Sequence, residues 1–258
     1  MNAKTFLAML ARDAHVARRN IWALLTQTML QPLLFTFVFG RVMTGSGMMP
    51  ASYKGMLVPG IMGMSMVMTG IQAVSMPLIA EFQFTREIED RLLAPMRIEW
   101  LAVEKILAGM IQALVSGLVV MLAAWLVLGA GVGLSFQRPL LFGLVMLLVA
   151  LFSAAGGLML GCSVGQTQIG LMFSLVLAPM IFFGCVYYPW SALSGFPILQ
   201  KLVLLNPLVY ASEGLRGTLV PQSQYPHISI AVVAGALAVF DAALIVGGLK
   251  KFYGKAVS

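Results

Sequence analysis

The chain has 258 residues, 60% of them hydrophobic and only 10% charged, with a mean hydropathy of +0.95. Soluble domains carry about 25% charged residues, so this composition excludes an ordinary water-facing surface and reads as a membrane protein. The formal charge of +7, from 16 Lys and Arg against 9 Asp and Glu, then belongs to basic anchors on one membrane face rather than to nucleic-acid binding.

The first element is residues 1–20. The apolar run FLAMLA is short, is followed by Arg12, Asp13, Arg18 and Arg19, and has no small-residue cleavage site, so it is not a signal peptide. On a helical wheel Phe6, Leu10, Ala14, Ala17 and Ile21 share one face and Arg12, His15 and Arg19 the other. That pattern predicts an amphipathic helix lying in the headgroup region.

No charged residue occurs from Ile106 to Gln137, nor from Pro139 to Gln200. A helix crosses the hydrocarbon with about 20 apolar residues. Hydropathy and charge punctuation together predict six spans, at about 21–40, 57–80, 105–128, 139–161, 169–188 and 228–249. The expected fold is one all-α membrane domain over residues 1–258, with both termini on the same side. With that side cytoplasmic, the inner basic residues are Lys4, Arg12, Arg18, Arg19, Arg86, Arg91, Arg97, Lys105, Lys250, Lys251 and Lys255. Only Arg41, Lys54, Arg138, Lys201 and Arg216 then fall outside, the asymmetry that the positive-inside rule expects.

Span 2 contains Met62, Met64, Met66, Met68 and Met76. Alternating positions spread around a helix, so these methionines form no single stripe. They read either as an adaptable apolar wall or as lipid-facing filler.

The inner segment 81–104 holds six of the nine acids: Glu81, Glu87, Glu89, Asp90, Glu99 and Glu104. Within it Phe84, Ile88 and Leu92 recur every four residues, and Glu87, Glu89, Asp90 and Arg91 point elsewhere. Pro95 ends the run. The prediction is a short cytoplasmic helix with an apolar stripe. Periodicity leaves two uses equally open, docking in a partner's groove or packing on the ends of the chain's own spans.

Span 4 carries Gly157 and Gly161, preceded at the same spacing by Ser153. Small faces of this kind let helices approach closely, although the spacing is common by chance. Cys162 and Cys185 lie about 30 Å apart at 1.5 Å per residue along a helix, too far for a disulfide, and read as small apolar residues. From Tyr187 to His227 the chain is apolar but cut by prolines 189, 197, 207, 221 and 226. Pieces such as FPILQKLVLLNPL are too short to cross, which points to re-entrant or interfacial helices within the outer segment 189–227. The one acid inside a predicted span is Asp241, in span 6. It reads as a structural hydrogen-bonding group or as a proton-relay residue.

Several chemistries are missing. There is no G-x-x-x-x-G-K-[ST], so the chain has no P-loop of its own. His15 and His227, the only histidines, lie outside the predicted spans, against an intramembrane Ser–His protease. Neither HExxH nor CxxC occurs, and no carboxylates pair within the spans. No metal site and no catalytic residue is expected.

REIEDRLLAPMRIEWLAVEKIL resembles the cytoplasmic segment of type-2 ABC-exporter permeases, in which an Arg-Glu-rich stretch leads into a leucine pair and a proline. LLNPLVYASEGLRGTL resembles the same family's Asn-Pro, here Asn206 and Pro207, followed by an acid and an arginine, here Glu213 and Arg216, before the last span. The likeness extends over essentially the whole chain. It departs at Ile88 and Glu89, where many members have a Gly-Thr turn.

The resemblance implies a bacterial inner-membrane permease that forms a dimer, most simply a homodimer, and pairs with separate ATPase subunits that bind ATP and Mg. No cofactor is expected in this chain. Closure of the ATPases is expected to push on the coupling helix, residues Phe84, Arg86, Glu87, Ile88, Glu89, Asp90, Arg91, Leu92 and Leu93, and to drive a lipophilic, lipid-linked or saccharide substrate outward. The re-entrant hairpin is expected to cap the exit, with Glu213 and Arg216 paired across one helical turn. The rival reading is an ion-coupled secondary transporter that uses Asp241.

Overall fold

The computed structural model describes residues 10–12, 30–83, 98–129, 132–221 and 226–257. Of the expected amphipathic helix only Leu10, Ala11 and Arg12 fall among these, and they are helical. The expected coupling helix, from Phe84 to Leu93, lies outside the described residues.

Eight segments containing α-helix follow in chain order among the described residues, with short 3-10 helices at Trp190–Gly195 and Val203–Leu205. They are α1 (30–45, with a π-helical stretch at Thr36–Val42), α2 (Tyr53–Gln83), α3 (Ile98–Leu128) and α4 (Pro139–Ser163). Next come α5 (166–182, π-helical at Phe173–Leu177), α6 (Pro197–Leu202), α7 (Pro207–Leu219) and α8 (Ile230–Val257). Among the described residues there is no β-strand.

Four helices are long and apolar enough to cross a membrane, over Tyr53–Phe82, Ile98–Leu128, Pro139–Ser163 and Ile230–Ala256. They correspond to four of the six expected spans. The first expected span is described only from residue 30. The fifth is shorter than expected: its helix stops at Phe182, and the chain turns through Phe183, Gly184 and Cys185. Cys185 has φ of 52°, in the left-handed region, a conformation that a helix cannot continue through.

α2 is the central helix, packed against α1, α3, α4 and α7. Its sequence is apolar all round, as a helix enclosed by protein should be. Met56, Leu57, Ile61, Met62, Met64, Met66, Val67 and Leu78 are all fully buried. Of the two readings open in the sequence, burial decides for three of these methionines: Met62, Met64 and Met66 are core residues, not lipid-facing filler. Pro59 and Pro77 lie inside the helix; neighbouring helices make such breaks tolerable by satisfying the freed backbone groups.

Small residues set the spacing between α2 and its neighbours. A Cβ on Gly70 would lie 2.0 Å from Ser153 Oγ, and one on Gly157 would lie 2.7 Å from the Ile71 carbonyl oxygen. Ser153, Gly157 and Gly161 thus run along α2. On its α3 side, Ser116 Oγ lies 2.7 Å from Ser65 Oγ and accepts from Thr69 Oγ1 at 2.9 Å. That trio satisfies its hydroxyls internally, as buried polar groups must.

The two ends of the bundle are tied differently. At one end Lys105 Nζ meets Glu81 Oε1 at 2.7 Å, Lys251 Nζ donates to Ser163 Oγ at 2.8 Å, and Lys255 lies over the Phe82 ring. At the other end are the start of α2, the start of α4 and the 183–221 hairpin. Outward-facing side chains such as Leu122, Leu126, Leu140, Val239 and Val246 are apolar and exposed, the surface a helix offers to lipid rather than to water.

Candidate functional site

α7 is 13 residues long, about 20 Å at 1.5 Å per residue, and too short to cross a bilayer. It is nevertheless buried on every side, from Leu208 to Leu219. Local chemistry starts it cleanly. Asn206 is the N-cap, accepting from the Leu208 amide at 3.0 Å, and Pro207 occupies the first helical position. The Asn206 side chain also donates to the Met180 carbonyl at 2.8 Å, fixing α7 to the end of α5.

Two turns further on, Glu213 and Arg216 form an ion pair with both side chains fully buried. The guanidinium donates through three nitrogens. Nε donates to the Met56 carbonyl at 3.2 Å, Nη2 to the Cys185 carbonyl at 3.0 Å and the Val186 carbonyl at 3.4 Å, and Nη1 to Glu213 Oε1. The same carboxylate oxygen accepts from the Trp190 amide at 2.9 Å. Desolvating two charges is costly, and the arrangement holds only because other polar groups share the load. Here those groups are backbone carbonyls, which suit the fixed fork of an arginine.

Arg216 therefore joins three pieces of chain: α7, the turn after α5, and the first turn of α2. The close approach depends on Gly60, where a Cβ would lie 2.0 Å from the Val186 oxygen and 3.0 Å from Arg216 Nη2. Tyr53 Oη adds a second tie, donating to the Tyr187 carbonyl at 2.8 Å. Tyr187 itself lies among Phe35 and Phe39 of α1, with ring centroids 5.0 and 5.5 Å away. Trp190 and Gln200 exchange hydrogen bonds across the hairpin, from Trp190 Nε1 to the Gln200 carbonyl at 3.0 Å and from Gln200 Nε2 to the Trp190 carbonyl at 3.4 Å.

Of the residues singled out in the sequence, Asn206, Pro207, Glu213 and Arg216 are brought together here. Cys185 is more than a small apolar residue, since its left-handed backbone presents its carbonyl to Arg216. Ser153, Gly157 and Gly161 lie apart, on the α4–α2 contact. Asp241 is also apart, buried in α8 with neither carboxylate oxygen accepting a hydrogen bond among the described residues. Sequence reasoning missed Met56, Gly60, Val186 and Trp190. Only Gly60, beside a proline inside a helix, left a visible signal.

Among the described residues no three His, Cys, Asp or Glu side chains are placed to hold a metal ion. What the arrangement offers is mechanical: a buried cross-link between a short helix and the bundle's central rod.

The ABC-2 type transporter family model matches residues 4–220. Among curated proteins, the inner membrane transport permease YadH of Escherichia coli strain K12 is 26% identical over 216 residues, covering 78% of this chain and 82% of that protein. The proteins of the same name from Escherichia coli O157:H7 and Shigella flexneri match to the same extent.

Proposed function

This chain belongs to the ABC-2 type transporter family, and on that premise we propose that it is the membrane permease subunit of an ATP-driven exporter in a bacterial inner membrane. It pairs with a separate ATPase subunit, which binds ATP and Mg, and with a second permease copy. Its substrate is lipophilic, lipid-linked or saccharide, the range that the family resemblance implies.

The observation that carries this reading is the course of α2. One end of α2 passes directly into the segment 84–97, whose apolar stripe at Phe84, Ile88 and Leu92, flanked by Arg86, Glu87, Glu89, Asp90, Arg91 and Leu93, suits docking in an ATPase groove. Near its other end, Arg216 holds the Met56 carbonyl. From Met56 to Gln83 the helix runs about 40 Å at 1.5 Å per residue. A push on the segment at one end is thus delivered to the hairpin at the other through one continuous, enclosed rod.

On this reading the hairpin of residues 189–219 is re-entrant and caps the outward exit. Exposed Phe196, Ile198, Leu202 and Leu205 suit an interfacial position there, and Asn206, Pro207, Glu213 and Arg216 keep its buried helix in place. The termini and residues 81–104 are cytoplasmic.

Affinity purification of this chain from its native membrane tests the proposal. An ABC ATPase without membrane spans should accompany it, and the pair should hydrolyse ATP in proteoliposomes where neither does so alone. The second reading, an ion-coupled transporter, draws on the buried Asp241. Uptake driven by a proton gradient, lost in Asp241→Asn and needing no ATPase, would establish it instead.

A further inference from the structure

At the hairpin end of the bundle, beyond the Glu213–Arg216 pair, lies a cavity of about 140 Å³ lined by Ser135, Gln137, Arg138, Gly217, Thr218, Val220, Pro221 and His227. Among the described residues its lining contains two basic residue types and no acid. Its walls are fixed to one another: the Ser135 amide donates to the Leu219 carbonyl at 2.8 Å, and the Val220 amide to the Arg216 carbonyl at 2.9 Å. Those two bonds also occupy carbonyls at the C-terminal end of α7, which would otherwise repel an anion. Gly217 lets the imidazole lie against the helix, since a Cβ there would come within 3.0 Å of His227 Cδ2.

Arg138 is the N-cap of the 25-residue helix α4, makes no side-chain cap bond, and is followed by Pro139 in the first turn. Its exposed guanidinium has no ion pair and no hydrogen bond among the described residues. The Arg138 guanidinium and the side chains of Ser135, Gln137 and His227 therefore meet at one cavity, a donor set that suits a phosphate.

We propose that this cavity is an anion site that takes a phosphate group, carried either by a phospholipid headgroup or by a free phosphate ester. It does not depend on the export reading, because the donors and the cavity are there whatever drives transport. Its position on α7, one residue beyond Arg216, places the ligand against the helix that the buried ion pair anchors.

The test uses the full chain purified in an uncharged maltoside detergent, with thermal unfolding followed by tryptophan fluorescence. Short-chain phosphatidylglycerol and glycerol 3-phosphate are titrated separately, each against sodium chloride of matched ionic strength. Stabilisation by both ligands identifies a site open to free phosphate esters, and stabilisation by the lipid alone identifies a headgroup site. In either case Arg138→Gln should weaken the apparent affinity at least 10-fold, and Arg138→Lys should keep most of it. Native mass spectrometry gives a second readout, in which wild type keeps phosphatidylglycerol through delipidation and Arg138→Gln loses it. No stabilisation beyond the salt control, or equal response and equal lipid retention in Arg138→Gln, overturns the proposal.

Discussion

Gly60 and Val186 lie in direct backbone contact, so close that the missing Cβ of Gly60 would sit 2.0 Å from the Val186 carbonyl oxygen. That contact lets the turn after α5 rest on α2, and it brings the Val186 and Cys185 carbonyls within reach of Arg216. Gly60→Ala should therefore displace backbone rather than a flexible side chain, at a cost of about 1–3 kcal/mol. For a chain of this size that is roughly 2–4 °C of melting temperature per kcal/mol. Gly143→Ala in α4, where nothing lies within 4 Å of the added atom, is the control and should be neutral or slightly stabilising. Equal melting temperatures for Gly60→Ala and wild type in detergent would refute the close contact.

The Glu213–Arg216 pair should behave as a coupled unit. Arg216→Met leaves a buried carboxylate without its cation, and Glu213→Gln leaves a buried guanidinium with only neutral acceptors. Breaking one side of such a pair costs about 3–5 kcal/mol. The double variant should lose less than the sum of the two single losses. Thermal stability of all four proteins in one detergent gives the cycle, and strictly additive losses would show that the two side chains do not interact.

Asp241 is buried with no hydrogen bond among the described residues, and an unpaired buried acid is a liability to folding. Asp241→Asn should hold or raise the melting temperature, because it removes the charge at nearly constant volume. If transport also survives, the residue has no functional role. Loss of transport with stability retained would instead mark Asp241 as a working acid.

The segment that follows α2 yields a prediction of a different kind. Ile88→Asp or Leu92→Asp should uncouple ATP hydrolysis from transport, and weaken co-purification of the ATPase, while leaving the bundle folded. An acid on a docking stripe must be desolvated without a partner, at a cost of at least about 2 kcal/mol. Glu89→Gln should be milder, since exposed ion pairs contribute only about 0–1 kcal/mol. Normal coupling and complex formation in both Asp variants would show that the stripe packs on the chain's own spans.

Sidedness is checked by cysteine labelling in intact cells. Glu89→Cys should be protected from an impermeant outside reagent, and Ser223→Cys should react. Outside labelling of both positions would overturn the proposed topology.

Much of the bundle was legible because charge stops where the membrane-spanning helices run. The uncharged stretch from Ile106 begins within α3, and the one from Pro139 begins with α4. Helix ends were less legible. α2 runs from Tyr53 to Gln83 rather than over 57–80, because Tyr53 and Glu81 find partners in Tyr187 and Lys105 that let polar residues stay helical. The break at Cys185 was hidden, since an apolar run looks the same whether its helix is straight or interrupted. Arg216 could be paired with Glu213 from their spacing, but its other acceptors are carbonyls of Met56, Cys185 and Val186. Backbone carbonyls occur at every position and leave no trace in a sequence.

The central helix has a consequence for how the protein is made. α2 is the most enclosed of the four long helices and also the least apolar of them. It leaves the ribosome before α3, α4 and α7, the source of most of its neighbours. Until Ser116 of α3 arrives, the hydroxyls of Ser65 and Thr69 lack the partner they have in the finished bundle. Helices inserted separately associate afterwards through packing and interhelical hydrogen bonds, so α2 has a waiting period in lipid that its own sequence suits poorly. Lateral release of α2 from the insertion machinery should therefore be delayed until α3 has been synthesised, and the two should enter the bilayer as a pair.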